Sequence, residues 1–369
     1  MTLSVLQVLH QGGGAGSVTS TLHLSLGLAR AGLAVRFVCP PGSEVETLAR
    51  AGGLETLPLE LRPGERRANA SALAALIQRH PVDVVNSQSA RDRQALTRLV
   101  LQRRLAIPLV LTRRQMPRTF FVENWLASRA AARVVAVSRA VGDALKRKGT
   151  PPKKLLVIPN GLVTERVDVP VSPEAVATWR ERIGWTPVQR TVGIVARRKD
   201  QRIVLAALER VRTPVRLVLV GIDPADPIAA SAREVRPPHS AVCLPFSPDV
   251  RPLYELLDLV LLPSRSEGLS QGLLEAMALG KPVIASAAAG NLDLVAHGGD
   301  GLLVPPLDPS AWARAIDRLL EDDDLARRVG VAARHTARNT FALEHTIART
   351  AALYRELTIA RVAPPPSPG

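Results

Sequence analysis

The sequence predicts an α/β protein built as two doubly wound parallel-sheet domains. Three observations carry that expectation. Short Val/Leu/Ile-rich runs are continuous rather than alternating, helix-like stretches lie between them, and 369 residues are enough for two domains at roughly 150 residues each. Continuous apolar runs are what strands buried on both faces require. In the first half they read at 4–9 (SVLQVL), 34–39 (AVRFVC), 83–88 (DVVNSQ), 108–112 (PLVLT) and 133–138 (RVVAVS). In the second half they read at 191–196 (TVGIVA), 215–221 (VRLVLVG), 258–263 (DLVLLP) and 281–286 (KPVIAS). Helical stretches fall at 17–30, 68–80, 140–148, 200–210 and 270–279. A boundary lies near 160–175, where LLVIPNGL passes into VTERVDVPVSP, with two prolines, no sustained period and a helix-like start at Pro173–Glu174. The expected organisation is a first domain over 1–165, a second over 166–342, a C-terminal helix over 343–362 and an extended, disordered Pro-rich tail over 363–369.

With 46% apolar and 22% charged residues the chain has a globular composition. No run approaches the roughly 18 apolar residues of a membrane-spanning helix. The start, MTLSVLQVLHQGGG, has no basic region ahead of its apolar stretch, so a secretory leader is not expected and a cytoplasmic location is. Cys39 and Cys243 sit in apolar strand-like runs and suggest neither a disulfide framework nor a zinc site. The charge is uneven: residues 1–165 hold 23 Lys and Arg against 10 Asp and Glu, the remainder 25 against 23. Such a basic half points to an anionic partner, which could be a nucleic acid, a membrane surface or an acidic substrate, or else reflects solubility in an arginine-rich chain with six lysines. The cations group at Arg62/Arg66/Arg67, at Arg103/Arg104, at Arg113/Arg114/Arg118 and at Lys146/Arg147/Lys148/Lys153/Lys154, read as surface clusters able to meet anionic headgroups. Aromatic residues make up 3% of the chain and are nearly absent from these clusters, which argues against specific nucleic-acid binding.

Two glycine-containing motifs carry chemistry. Gly12-Gly13-Gly14-Ala15-Gly16-Ser17 follows the first strand and opens a helix, a place where backbone approaches a ligand closely and free N–H groups face an anion. It is not the G-x-G-x-x-G fingerprint, and VRFVCPPG supplies no acidic residue after the second strand, so a nicotinamide or flavin cofactor is disfavoured. The second motif, LLPSRSEGLSQGLLEAMALGKPVIAS over 261–286, is the more informative. A strand ends at Pro263, a loop carries Glu267-Gly268, and a helix begins near Ser270 with Glu275 inside it. Free amides at Ser270, Gln271 and Gly272 suit phosphates, and carboxylates suit vicinal hydroxyls; together they suit a nucleoside diphosphate. Arg197, Arg198 and Lys199 follow the strand TVGIVA at its carboxyl end, where cations can neutralise a departing phosphate.

The pattern P-S-x-x-E-G-x-x-x-x-x-x-E-A-x-A-x-G-x-P-V-I-A resembles the retaining nucleotide-sugar glycosyltransferases of the GT-B fold, family four (group 1). The resemblance runs through the glycine loop, Ile158-Pro159-Asn160-Gly161, and Gly290 with GLLVPPLDPSAWARAI at 301–316. NSQSARDR (86–93) and LTRRQ (111–115) look like the branch acting in lipopolysaccharide and related envelope-glycan assembly. It implies two Rossmann-like domains facing across a cleft, the first binding acceptor and the second binding donor, with C-terminal helices crossing back to the first. It implies that Glu275 binds the donor ribose and that Glu267 meets the donor sugar or holds the phosphate loop. It further implies that amides at Leu269, Ser270, Gln271 and Gly272 meet the diphosphate or sugar. Arg197 and Lys199, with Arg198 as the alternative phosphate contact, would neutralise the leaving diphosphate, and Gly14 and Gly16 would line the donor–acceptor cleft. The chain departs from the family where an envelope-branch T-R-H becomes Thr112-Arg113-Arg114-Gln115: either Arg114 or Gln115 replaces the histidine as a sugar-hydroxyl contact, or donor specificity has changed, or activity is lost. The implied partners are a nucleotide-sugar donor, a glycolipid or glycan acceptor and an anionic membrane surface, with no metal and no further cofactor. The expected function is retaining transfer of a hexose-type sugar; a degenerate homologue that binds without turnover is the alternative.

Overall fold

A computed structural model describes residues 2–13 and 15–362 of the chain; Gly14 and the tail 363–369 lie outside the described residues. The chain divides into two compact units, one formed by residues up to Gly161 together with the chain from Leu343 onward, the other by Leu162–Ala342.

The first unit alternates strand and helix: β1 (Ser4–Val8), α1 (Gly16–Arg30), β2 (Ala34–Cys39), α2 (Glu44–Ala51), β3 (Glu55–Pro58), α3 (Arg66–Arg79), β4 (Val84–Ser87), α4 (Ala90–Leu101), β5 (Leu109–Arg113), α5 (Phe121–Ala130), β6 (Arg133–Ala136), α6 (Arg139–Arg147) and β7 (Leu155–Val157). The seven strands pair in parallel in the order β3-β2-β1-β4-β5-β6-β7, with Val5 beside both Val35 and Val84. The order reverses between β1 and β4, which makes their carboxyl ends the crevice where ligands bind in open sheets. Helix starts follow local chemistry: Ser43 Oγ accepts from the Glu46 N–H and Ser138 Oγ from that of Val141, each taking one of the donors a first turn leaves free.

The second unit continues with α7 (Thr164–Asp168), α8 (Pro173–Ile183), β8 (Arg190–Val195), α9 (Arg202–Leu208), β9 (Val215–Val220), α10 (Pro227–Arg233), β10 (Ser240–Leu244), α11 (Arg251–Leu256), β11 (Leu259–Leu262), α12 (Gln271–Ala278), β12 (Val283–Ser286), α13 (Asn291–Leu294), β13 (Leu302–Val304), α14 (Pro309–Glu321) and α15 (Asp323–Thr340). Its sheet repeats the plan in the order β10-β9-β8-β11-β12-β13, again parallel, with the reversal between β8 and β11. Val192, Ile194, Leu217, Leu219, Leu259 and Leu261 pack with the fully buried Trp312 of α14.

All nine strands read from the sequence are present, with ends that differ by at most two residues. The four without a sequence signal are β3, β7, β10 and β13, and these are the edges of the two sheets. An edge strand is covered less completely, and none of the residues of β3, β7 or β10 is fully buried; β3 (ETLP) lacks an apolar run, whereas β7 (LLV) has one of only three residues.

The last helix, α16 (Leu343–Val362), belongs to the first unit and packs on α1. Its Tyr354 is fully buried and its hydroxyl accepts from Gln7 Nε2 on β1 (3.0 Å) and Asn86 Nδ2 on β4 (2.6 Å); burial pushes the phenol up to about 12. The Asn160-Gly161 motif has its explanation here. A Cβ at Gly161 would stand 2.3 Å from Leu343 Cα, and Thr346 Oγ1 donates to Pro159 O at 2.8 Å. We expect Gly161→Ala to cost about 1–3 kcal/mol, the range for overpacking a tight contact, read as a lowered denaturation midpoint in urea.

Candidate functional site

In the second unit the loops after β8 and β11 leave neighbouring strands at the point of reversal. They are tied to each other by backbone and side chain. Asp200 N donates to Pro263 O at 3.0 Å, and its carboxylate accepts from Arg265 N (3.1 Å), Nε (3.2 Å) and Nη2 (2.9 Å). Burial would raise the Asp200 carboxyl, but the Arg265 bonds outweigh it and hold it below the usual range. The fully buried Gln201 side chain folds the basic loop, donating to Arg197 O (2.9 Å) and accepting from Lys199 N (2.5 Å). On the far side, Gly290 N donates to Glu267 O at 3.1 Å, and a Cβ at Gly290 would lie 1.7 Å from Gly268 O. Asn291 Nδ2 adds bonds to Ser264 O and Ser286 O. The glutamate loop is clasped from both sides.

This arrangement brings Lys199 and Glu267 together, with Nζ 2.8 Å from Oε1 and 30% and 13% of the side chains exposed. Arg198 instead reaches toward Asp226 (3.7 Å), whereas the exposed Arg197 has no ion-pair partner among the described residues. The sequence leaves open which of the two meets phosphate; Arg197 is the one whose charge is uncommitted.

Ser270 caps α12, its Oγ accepting from Leu273 N, which leaves the Gln271 and Gly272 amides without an intrahelical acceptor. Nε2 of Gln271 is buried with no partner among the described residues. Tyr254 OH donates to Gly272 O at 2.9 Å and holds the start of the helix in place. One turn on, Glu275 makes no side-chain hydrogen bond or ion pair among the described residues. Burial raises its carboxyl above the usual range; Arg166 and Arg251 draw it down and Asp249 pushes it up. A half-buried carboxylate without a donor is costly for the free protein and ready for hydroxyl donors from a ligand.

In the first unit Gly16 is the first residue of α1, and Gly14 lies outside the described residues. Arg113 and Arg114 are both buried, which corrects their grouping with Arg118 as a surface cluster. Arg113 Nη1 donates to Asn124 Oδ1 at 2.9 Å, and burial lowers its pKa to about 9. Arg114 Nε donates to Thr21 Oγ1 of α1 at 3.2 Å, with its pKa lowered to about 10 by burial; Gln115 is exposed. Lys154 also leaves its cluster, since its Nζ donates to the Ser128, Arg129 and Ala131 carbonyls at the end of α5. Sequence reasoning missed Gln201, Asp200, Arg265, Asn291 and the orphaned donor of Gln271. Among the described residues no group of three or more His, Cys, Asp or Glu could hold a metal ion, and no helix is long and apolar enough to cross a membrane.

Comparison with known proteins agrees with the fold. A family model described as Glycosyltransferase Family 4 matches residues 14–166, and one described as Glycosyl transferases group 1 matches residues 187–322. A D-inositol 3-phosphate glycosyltransferase of Xylanimonas cellulosilytica is 29% identical over 65% of this chain and 60% of its own length. An uncharacterised glycosyltransferase of Methanocaldococcus jannaschii is 28% identical over 54% of this chain and 53% of its own, so the chain spans little more than half of these relatives. The Anabaena HepE structure in complex with UDP-glucose superposes with a TM-score of 0.82 at 20% identity, covering 96% of this chain and 100% of that one. Its fold is that of the two doubly wound units described above. With one model matched on each unit, the chain belongs to the group 1 glycosyltransferases of family four.

Proposed function

We propose that the chain transfers a hexose-type sugar, with retention of anomeric configuration, from a nucleotide diphosphate sugar to a hydroxyl of a glycolipid or envelope glycan. The observation that carries this reading is the clasped Lys199–Glu267 pair beside the start of α12, with the unpartnered Glu275 one turn further on. In this reading Glu275 accepts from the ribose hydroxyls, and the amides at Leu269, Ser270, Gln271 and Gly272 meet the diphosphate or sugar. Glu267 accepts from a hydroxyl of the donor sugar. Lys199, Arg197 and the positive end of α12 face the charge that grows on the diphosphate as the anomeric C–O bond breaks. Positioning and leaving-group stabilisation then supply the rate, and no metal ion enters. The UDP-glucose in the Anabaena neighbour supports a donor of this class.

The test is proton NMR of the anomeric signal during consumption of UDP-glucose, GDP-mannose and ADP-glucose with saccharide acceptors. A product with the donor's configuration and a rate unchanged by excess EDTA is expected. An inverted product, or activity that EDTA abolishes, overturns the mechanism.

The basic half is read here as a docking face for anionic membrane, the source of a glycolipid acceptor. Phe120, Phe121, Val122 and Trp125 stand 84%, 56%, 63% and 39% exposed at the start of α5. Arg129 lies over the Trp125 ring, and Arg118, Lys146, Arg147 and Lys153 are exposed. Exposed apolar and aromatic tips on a unit that also carries exposed cations suit the headgroup layer. Phe120→Ala with Trp125→Ala should release the protein from phosphatidylglycerol vesicles in sedimentation, as should high salt. Equal binding to neutral vesicles would overturn this face as an anionic-lipid site.

A further inference from the structure

At the reversal point of the first sheet, β1 ends into His10 and β4 ends into Ser89, which caps α4. The His10 backbone N–H donates to Ser89 Oγ at 3.2 Å, and Nδ1 lies 2.6 Å from Ser89 Oγ and 3.1 Å from Asp92 Oδ1. Asp92 is fully buried and collects further donors: Ser87 Oγ, Gln88 N and Ser89 N reach Oδ2 at 2.8 Å each, and Ser89 Oγ reaches Oδ1. Burial would raise the Asp92 carboxyl, but the bonds from His10 and Ser89 outweigh it and hold it below the usual range.

An ionised carboxylate only accepts, so it fixes the proton of a neutral imidazole on Nδ1 and leaves a bare lone pair on Nε2. Nε2 has no partner among the described residues and is not sealed from solvent; the side chain is 12% exposed. Asp92 and Ser89 together hold the ring plane and the tautomer of His10.

We propose that His10 Nε2 is a hydroxyl-binding group of the acceptor site, accepting a hydrogen bond from a saccharide hydroxyl, with Ser89 and Asp92 as its positioning residues. The assignment of the first unit to the acceptor rests on the function proposed above; the chemistry of the site does not.

The test uses the full chain labelled with ¹⁵N-histidine and methyl α-D-glucopyranoside as probe, raised to about 100 mM to reach the millimolar dissociation constants of single sugars. Long-range ¹H–¹⁵N spectra should show His10 protonated on Nδ1, with its Nε2 signal moving saturably as the probe is added. His10→Ala should lose the calorimetric signal of binding, and His10→Gln, which keeps an acceptor, should retain part of it. Protonation on Nε2, or a His10 signal that stays still throughout, overturns the site. The two readings separate cleanly. If His10 responds while no nucleotide sugar is consumed, the transferase reading falls and this site stands; if transfer proceeds and His10 is silent, only this site falls.

Discussion

Lys199→Ala is expected to lower kcat by about 10²–10³-fold, the effect of removing one preorganised group from a developing anion. The expectation follows from how Lys199 is held. Its loop is folded by Gln201 and tied through Asp200 to Pro263 and Arg265, so Nζ is in place before substrate arrives. Its partner Glu267 is 13% exposed, and under the proposed function removing the lysine leaves that carboxylate without a counter-charge next to an anionic donor. Attraction is lost and repulsion is added in one substitution. Lys199→Arg should recover only part of the rate, because a planar fork on a different stem does not reproduce a point charge 2.8 Å from Oε1. Arg198→Ala is the control: its guanidinium is exposed and turned toward Asp226, and kcat should stay within about threefold, as expected of a surface charge. Initial rates at saturating donor decide the matter. A Lys199→Ala variant within that same factor of wild type would remove the lysine from the mechanism.

What the sequence revealed and what it hid divide along physical lines. Central strands are buried on both faces and announce themselves as apolar runs, so nine were legible; the edges were not, because β3 (ETLP) carries no apolar run and the runs of β7 and β13 (both LLV) are only three residues long. Glu267 and Glu275 were legible because two acidic residues around a capped helix start sit inside an otherwise apolar stretch. The clasp around them was not. Gln201 and Asn291 act on backbone carbonyls and amides, and such bonds require no complementary residue at a recognisable spacing. Asp200 and Arg265 are 65 residues apart and meet only because β8 and β11 are neighbours. The arginines at 113 and 114 misled in the opposite sense: consecutive cations read as surface, yet they directly extend an apolar strand with no turn residue between. That continuity was the available signal that both were buried.

Glu275→Gln is expected to remove nucleotide binding while stabilising the free protein. Wild type at about 100 times the dissociation constant of its nucleotide should gain about 2.7 kcal/mol, a rise of several degrees in Tm. Losing a charge-assisted pair of ribose hydrogen bonds costs about 1.5–3 kcal/mol per bond, enough to erase that rise at the same concentration. The free protein moves the other way. Burial raises the Glu275 carboxyl in the folded chain, so through the ordinary carboxylate range the folded state holds a proton that the unfolded state has released. Stability therefore falls as pH rises from that range to the raised value, and the deficit persists at neutral pH. A neutral amide of the same shape carries no such deficit. The variant should thus melt above wild type at pH 7 and approach it as pH falls through and below about 4, where the wild-type carboxyl becomes protonated in the unfolded state as well as the folded one. Thermal unfolding at the two pH values, with and without UDP, GDP or ADP, reads both effects. Retention of the nucleotide shift in the variant would take Glu275 out of the donor site. A variant less stable than wild type at pH 7 would mean that the carboxylate is satisfied in the free protein, and that its burial serves the fold instead of the ligand.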